Sequence, residues 1–140
     1  MTVYVVGFAF HKGKVALIYK RRGPRPVVNK YNGIGGHVEK GEPAMRAMER
    51  EFEEETSVKL RGWERFCVLR VKAYGAIIYF YRVRIVGECP ELQQTTDEQV
   101  SWHYIDDIRH LAVVPNLHWL IPLAYDPGKL STFVDDNTPE

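Results

Sequence analysis

The stretch GGHVEKGEPAMRAMEREFEEETSV, residues 35 to 58, leaves few choices for the fold around it. Pro43 suits the first position of a helix, where its missing N–H has no partner to lose. The residues after it are rich in strong helix formers and free of glycine and proline. A helix is therefore expected from about residue 43 to residue 56. With Glu51 as zero on a helical wheel, Glu55 lies near +40° and Glu54 near −60°, while Ala44, Ala47 and Met48 fall at roughly +20°, −40° and +60°. Carboxylates and apolar side chains thus share one face. Arg46, Glu49, Arg50 and Glu53 are expected on the other, as a solvated ladder of alternating charge.

Carboxylates on a half-buried face repel one another and lose hydration, at several kcal/mol each unless they are paired. Two sources of positive charge are open. One is a salt-bridged helix, with Arg50 reaching Glu54 and Lys59 reaching Glu55, each pair worth only ~0.3–0.5 kcal/mol. The other is a divalent cation, for which oxygen-only ligands favour magnesium, calcium or manganese over zinc. The upstream segment YNGIGGHVEKGE carries four glycines in twelve residues. It is expected as tight turns with close backbone approach rather than as a regular element. Exposed backbone beside carboxylates points to phosphate chemistry.

The rest of the chain reads as strands and one further helix. Residues 2–10 and 14–20 are expected to pair as a hairpin, and 66–74, 76–86 and 98–105 supply three more strands. RRGPRPVVNK (21–30) is a basic loop. PNLHWLIPLAYD (115–126) is expected as a closing amphipathic helix, and the polar tail from Pro127 as frayed. The order of elements implies an α/β fold with a mixed sheet between helices. One domain over residues 1–126 accounts for the length, and 45% hydrophobic content is enough for one core.

Lys plus Arg total 19 against 18 for Asp plus Glu, so a net charge of +1 offers no broad footprint for duplex nucleic acid or an anionic membrane. No apolar run approaches the ~18 residues of a membrane span, and the N-terminus lacks signal-peptide character. A cytoplasmic protein is expected. Cys67 and Cys89 have no paired spacing and read as ordinary reduced thiols.

Gly36, Glu42, Arg50, Glu51, Phe52, Glu54, Glu55 and Val58 fall in register with the box G-x5-E-x7-R-E-U-x-E-E-x-G-U, which resembles that of the Nudix hydrolases. One position departs: Ser57 stands where the box has glycine. A left-handed residue at this helix end would cost serine roughly 1 kcal/mol. The resemblance implies an α/β/α sandwich of Nudix type and metal-dependent hydrolysis of a nucleoside diphosphate linked to a further group. It implies Glu51, Glu54, Glu55 and the Gly36 backbone as ligands of Mg2+, with Mn2+ able to substitute, and Glu42 and Arg50 as supports. Glu98, before a late strand, is the candidate additional ligand or general base, with an exposed loop acid as the alternative.

YNGIGGHVEKGE is similar to the nucleoside triphosphatase branch that clears oxidised purine nucleotides such as 8-oxo-dGTP. Asn32 is a candidate reader of a base edge, or else a turn residue capping its own backbone. Pro115 and Pro122 keep the P-x6-P form of a terminal helix that walls the base pocket. Asn116 and Leu117 stand where the oxidised-purine enzymes carry two acids, which favours a broader triphosphate range. Trp102, Tyr104 and Trp119 are candidates for base stacking or for the core. Arg21, Arg22, Arg25 and Lys30 either grip phosphates or solvate their loop, and His37 either meets a phosphate or decorates the turn. The expected product pair is a monophosphate and pyrophosphate. Other nucleoside diphosphate derivatives (capped RNA, dinucleoside polyphosphates, ADP-ribose) and a non-catalytic nucleotide-binding module are the competing readings.

Overall fold

The computed structural model describes residues 1–126 and the backbone of one further strand at residues 132–136. Strands β1 (Thr2–His11) and β2 (Lys14–Lys20) form the expected hairpin, and β3 (Lys30–Asn32) and β4 (Ile34–His37) follow the basic loop. Helix α1 (Ala44–Thr56) leads to β5 (Glu64–Val71), a 3-10 turn at Lys72–Tyr74 and β6 (Ala76–Arg84). Then come β7 (Val100–Tyr104), a 3-10 helix at Ile105–His110, α2 (Leu117–Tyr125) and β8 (Thr132–Asp136).

The sheet is mixed and it forks. The first half of β1 pairs antiparallel with β4, from Tyr4 opposite His37 to Gly7 opposite Ile34. Its far end instead pairs with β2, Phe10 opposite Val15. Its other edge pairs in parallel with β6 over its length, and β6 continues to β5 and β8. On the other branch β2 carries β3 on one side and β7 on the other.

Alternation along β1 builds both faces of the sandwich. Val5 and Ala9 join Ala47, Met48 and Phe52 of α1 in one buried cluster. Phe8 and Phe10 join Leu117, Leu120, Ile121 and Ala124 of α2 in the other. Met48, Phe52 and Leu117 have no exposed surface, and full burial of such a side chain contributes ~1.5–3 kcal/mol. The approach of α1 is close because Gly7 faces it: a Cβ there would stand 2.6 Å from the Met48 methyl carbon and 2.7 Å from the Trp63 ring. At the far end of α2, Arg82 donates to the carbonyls of Leu123, Ala124 and Asp126, and Arg84 to that of Tyr125. These carbonyls have no partner further along the helix.

Two expectations are corrected. The glycine-rich segment is not turn throughout, because Lys30–Asn32 and Ile34–His37 are strands. Its glycines are required by contact, since a Cβ on Gly35 would lie 1.8 Å from the Val5 carbonyl oxygen. Nor is the whole tail frayed, because Thr132–Asp136 pairs in parallel with β5, Cys67 opposite Thr132. Residues 127–131 and 137–140 lie outside the described residues. Among the described residues no helix is long and apolar enough to cross a membrane.

Candidate active site

α1 begins one residue later than expected: Pro43 is extended at the N-cap rather than in the first helical position, and its carbonyl accepts the Ala47 N–H at 3.0 Å. It ends on Ser57, which adopts the left-handed conformation at φ 64° while its N–H donates to the Glu53 carbonyl. Ala47, Met48, Phe52 and Thr56 face the sheet, and Glu51 and Glu55 sit half-buried along the edge of that face. Beneath them runs β4. A Cβ on Gly36 would lie 2.6 Å from the Glu51 carboxylate carbon, so only glycine lets the strand backbone stand against this acid.

Arg50 is corrected from the solvated ladder to the centre of the cluster. Its guanidinium donates to both Glu42 oxygens, to Glu51 Oε1 at 3.0 Å, to Glu54 and to the His37 carbonyl at 3.0 Å. Hydrogen bonds from Arg50 hold the Glu42 carboxyl below the usual carboxylate range. These acids in turn raise the Arg50 guanidinium, with Glu42 the largest influence. Arg46 and Glu49 do form the expected exposed pair at 3.2 Å. Lys59 reaches Glu53 at 4.0 Å and not Glu55.

Glu55 is therefore the acid without a direct partner: its Oε2 is buried and accepts no hydrogen bond. Burial pushes its carboxyl up, Lys20 pulls it down, and Glu51, Glu98 and Glu54 push it up again. Burial likewise raises Glu51 despite the opposing pull of Arg50. Among the described residues no group of three or more histidine, cysteine or acidic side chains converges as a ready-made cation cage. The arrangement present still suits a hard divalent cation in two respects: a buried carboxylate oxygen with no donor and a bare glycine backbone against Glu51.

Glu98 is neither an exposed loop acid nor a free carboxylate. It is 6% exposed, its Oε1 accepts from Lys20 Nζ at 2.9 Å and its Oε2 from the Arg21 N–H at 2.7 Å. Burial alone would raise it, but Lys20 and the Arg21 and Arg22 amides together hold it below its ordinary value. Arg22 pairs with Asp97 and lies 3.7 Å from Glu98, and Arg21 Nη1 donates to the Asp97 carbonyl. Arg21 and Arg22 of the basic loop are thus tied to the segment before β7. Lys30 Nζ donates to the Arg25 carbonyl.

The candidates for substrate lie around this cluster. Asn32 Oδ1 accepts the N–H of Gly33 at 2.8 Å, the local cap expected of an asparagine beside glycine, and its amide nitrogen remains for other partners. Tyr31 bridges in parallel to Val113, so the chain entering α2 runs alongside β3, and Asn32 and Asn116 follow toward the same end. Asn116 stands at the N-cap position of α2 without capping it: its Oδ1 is buried and accepts no hydrogen bond among the described residues. Trp119 is 41% exposed and Tyr104 59%, so neither is a core aromatic, whereas Trp102 is half-buried and donates to the Pro90 carbonyl. The exposed His37 packs its ring on Tyr4, centroids 4.4 Å apart. Two cavities, of about 210 and about 360 Å³, lie beside the C-terminus of α2 and between α2 and the 3-10 helix before it, away from the acids.

The model of the NUDIX domain matches residues 1–122, the greater part of the chain. The chain belongs to the NUDIX domain family. Its sandwich superimposes on a MutT NUDIX hydrolase from Burkholderia pseudomallei with a TM-score of 0.65 and 25% identity, covering 76% of this chain and 85% of that one. The NUDIX domain of NrtR from Shewanella oneidensis, solved with ADP ribose, gives 0.69 at 18% identity over 87% of this chain and 84% of that one. An ADP-ribose pyrophosphatase from Streptococcus suis gives 0.70 at 14% identity over 96% and 98%. No curated protein matches the sequence significantly. NUDIX membership supports hydrolysis of a nucleotide derivative, and the box residues of the family are those that α1 and β4 bring together here.

Lys20 and Thr95 escaped sequence reasoning. Lys20 ends β2 and acts on both Glu98 and Glu55. Thr95 donates its hydroxyl to the Glu54 carbonyl at 2.6 Å. The partners of Lys20 and Thr95 are 78 and 41 residues away, and no local pattern marks them.

Proposed function

We propose that the acidic face of α1 binds a divalent cation, magnesium or manganese, and that the chain hydrolyses a nucleoside triphosphate to the monophosphate and pyrophosphate. The observation that carries this reading is the buried Oε2 of Glu55, which accepts no hydrogen bond among the described residues while Glu51, Glu98 and Glu54 act on the same carboxylate. Glu51, Glu54, Glu55 and the Gly36 backbone would hold the cation, which on binding supplies Lewis-acid polarisation of the phosphate and lowers the pKa of bound water.

The chain's own residues do the rest. Arg50, anchored on Glu42 and on the His37 carbonyl, orients Glu51 and Glu54. Water adds to phosphorus as the anhydride P–O bond breaks, pyrophosphate leaves with the bonding pair, and the water's proton passes to solvent. At the base end, Asn116 offers an unused buried acceptor, Asn32 an unused amide and the exposed Trp119 a stacking face. Asn116 and Leu117 in place of two acids support a broad range of triphosphates, oxidised purines included, in a cytoplasmic enzyme.

ADP-ribose is the second reading, favoured by solved relatives whose names carry it. A panel of dNTPs, 8-oxo-dGTP, ADP-ribose, a dinucleoside polyphosphate and capped RNA, run with wild type and Glu54→Gln in Mg2+, decides between them. Fastest release from triphosphates, lost in Glu54→Gln with the fold intact, is the expected result. Equal release from both proteins removes Glu54 from the reaction and overturns the proposed site, and release from neither overturns the hydrolytic reading and leaves a nucleotide-binding module.

A further inference from the structure

The segment at residues 93–99 forms a strap across the end of α1. The Gln93 N–H donates to the Thr56 carbonyl at 3.0 Å and the Thr95 hydroxyl to that of Glu54, which ties the strap to the last turn of the helix. At its other end the Gln99 carbonyl accepts the Tyr19 N–H at 2.8 Å, and Asp97 holds Arg22. Glu98 sits between these ties with its N–H on Thr96 Oγ1 at 3.1 Å. Each of its carboxylate oxygens already accepts a hydrogen bond, one from the Lys20 ammonium and one from the Arg21 backbone. An acid buried to 6% exposure has both oxygens engaged by donors, which leaves a water only the second lone pair of each. The charge it does present is to Lys20, whose ammonium acts also on Glu55 of the acidic face.

We propose that Glu98 is a positioning residue: it fixes Lys20 at the end of β2 and clamps the basic loop to the strap across the end of α1, and it does not take the proton from the attacking water. The inference rests on the hydrolytic reading above for its kinetic arm only. Lys20 is fixed at one oxygen of Glu98, and the loop that carries Arg21 and Arg22 at the other. Loss of the carboxylate releases Lys20 and lets the loop move, which weakens nucleotide binding before it slows chemistry. A general base behaves oppositely, because its removal costs about 10²–10⁴-fold in rate.

The test compares Glu98→Gln, Lys20→Met and the double variant. Glutamine keeps the size of Glu98 and its acceptor for the Arg21 N–H. Expected for Glu98→Gln is a rise in nucleotide KM of tenfold or more, a fall in kcat below tenfold and an acid limb of the kcat–pH profile at an unchanged position. A fall in kcat of a hundredfold or more with that limb abolished overturns the proposal. A double-mutant cycle in urea unfolding of the metal-free protein supplies a readout independent of turnover. The double variant should lose no more stability than the worse single one, and additive losses overturn the pairing. Should Glu98→Gln not fold, Lys20→Met alone must raise KM and keep the acid limb, and an unchanged KM overturns the proposal. Wild type inactive on every nucleotide would sink the hydrolytic reading, while the metal-free cycle still decides whether Glu98 positions Lys20.

Discussion

Arg50 grips Glu42 with two hydrogen bonds, Nε to Oε2 at 2.8 Å and Nη2 to Oε1 at 2.9 Å, and so ties the middle of α1 to the loop that precedes it. The fork geometry is one that only a guanidinium supplies. Arg50→Lys keeps the charge and cannot reach Glu42, Glu51 and the His37 carbonyl together. The expected loss is roughly 1–3 kcal/mol of stability in urea unfolding, with a larger proportional loss of kcat, because Glu51 and Glu54 lose their common anchor. Wild-type stability in the lysine variant would show the fork to be ornamental.

Gly35 and Gly36 are adjacent, and their substitutions should separate fold from site. Alanine at 35 drives a Cβ into the Val5 backbone, which cannot move without breaking the pairing of β1 and β4. Alanine at 36 meets the Glu51 side chain, which can swing aside. Gly35→Ala is therefore expected to unfold or to express poorly, and Gly36→Ala to fold with near-native circular dichroism and lose hydrolysis. A folded, active Gly36→Ala would remove Glu51 from the site.

Glu55 carries a charge that the metal-free fold does not pair directly. Burial raises its folded pKa above the unfolded value, so the ionised form costs stability at neutral pH, and that cost fades as pH falls through the folded pKa toward the unfolded one. Glu55→Gln is expected to melt higher than wild type at pH 7 without metal and to lose this advantage near pH 4. Addition of Mg2+ should raise the melting temperature of wild type by mass action and leave the variant unmoved. An equal response of both proteins to Mg2+ would place the cation elsewhere.

His103 gives the opposite slope. Burial lowers its pKa, partly offset by Asp107, while its Nε2 lies 2.8 Å from Ser101 Oγ and its ring packs edge-on against Tyr31. The unfolded chain takes up the proton first as pH falls below about 6.5, so folding stability declines from there until the folded pKa is passed. Wild type should lose more stability between pH 7.5 and 5.5 than His103→Gln. Parallel pH profiles for the two proteins would show that this histidine is not held neutral.

What the sequence made legible is what depends on near neighbours. Pro43 and the unbroken run of helix formers mark α1, and the β-formers of residues 2–10 mark β1. The errors share a cause of the other kind. β4 reads as turn because its glycines answer to Val5 and Glu51, across the sheet and on the helix. A helical wheel places the Cβ of Arg50 correctly toward solvent, yet a side chain that long returns to meet Glu42, Glu51 and Glu54. Glu98 is buried by a lysine at the end of β2, and the strand at 132–136 exists because β5 offers it an edge. Long side chains and long-range pairing are what a local reading cannot see.

Ser57 is the one departure from the family's box, and its backbone shows the consequence. At φ 64° and ψ 12° it holds the left-handed conformation that closes α1, with its N–H on the Glu53 carbonyl. An L side chain pays roughly 1–2 kcal/mol in this region, which glycine does not. The flexibility glycine adds to the unfolded chain returns part of that difference. Ser57→Gly should therefore stabilise the protein by about 1 kcal/mol and raise its melting temperature. Ser57 is exposed at the end of α1 and supplies none of the proposed cation ligands, so kcat should stay at the wild-type level. The urea midpoint is the direct measurement. A destabilised glycine variant would mean that the serine side chain contributes more to the helix end than its backbone strain costs.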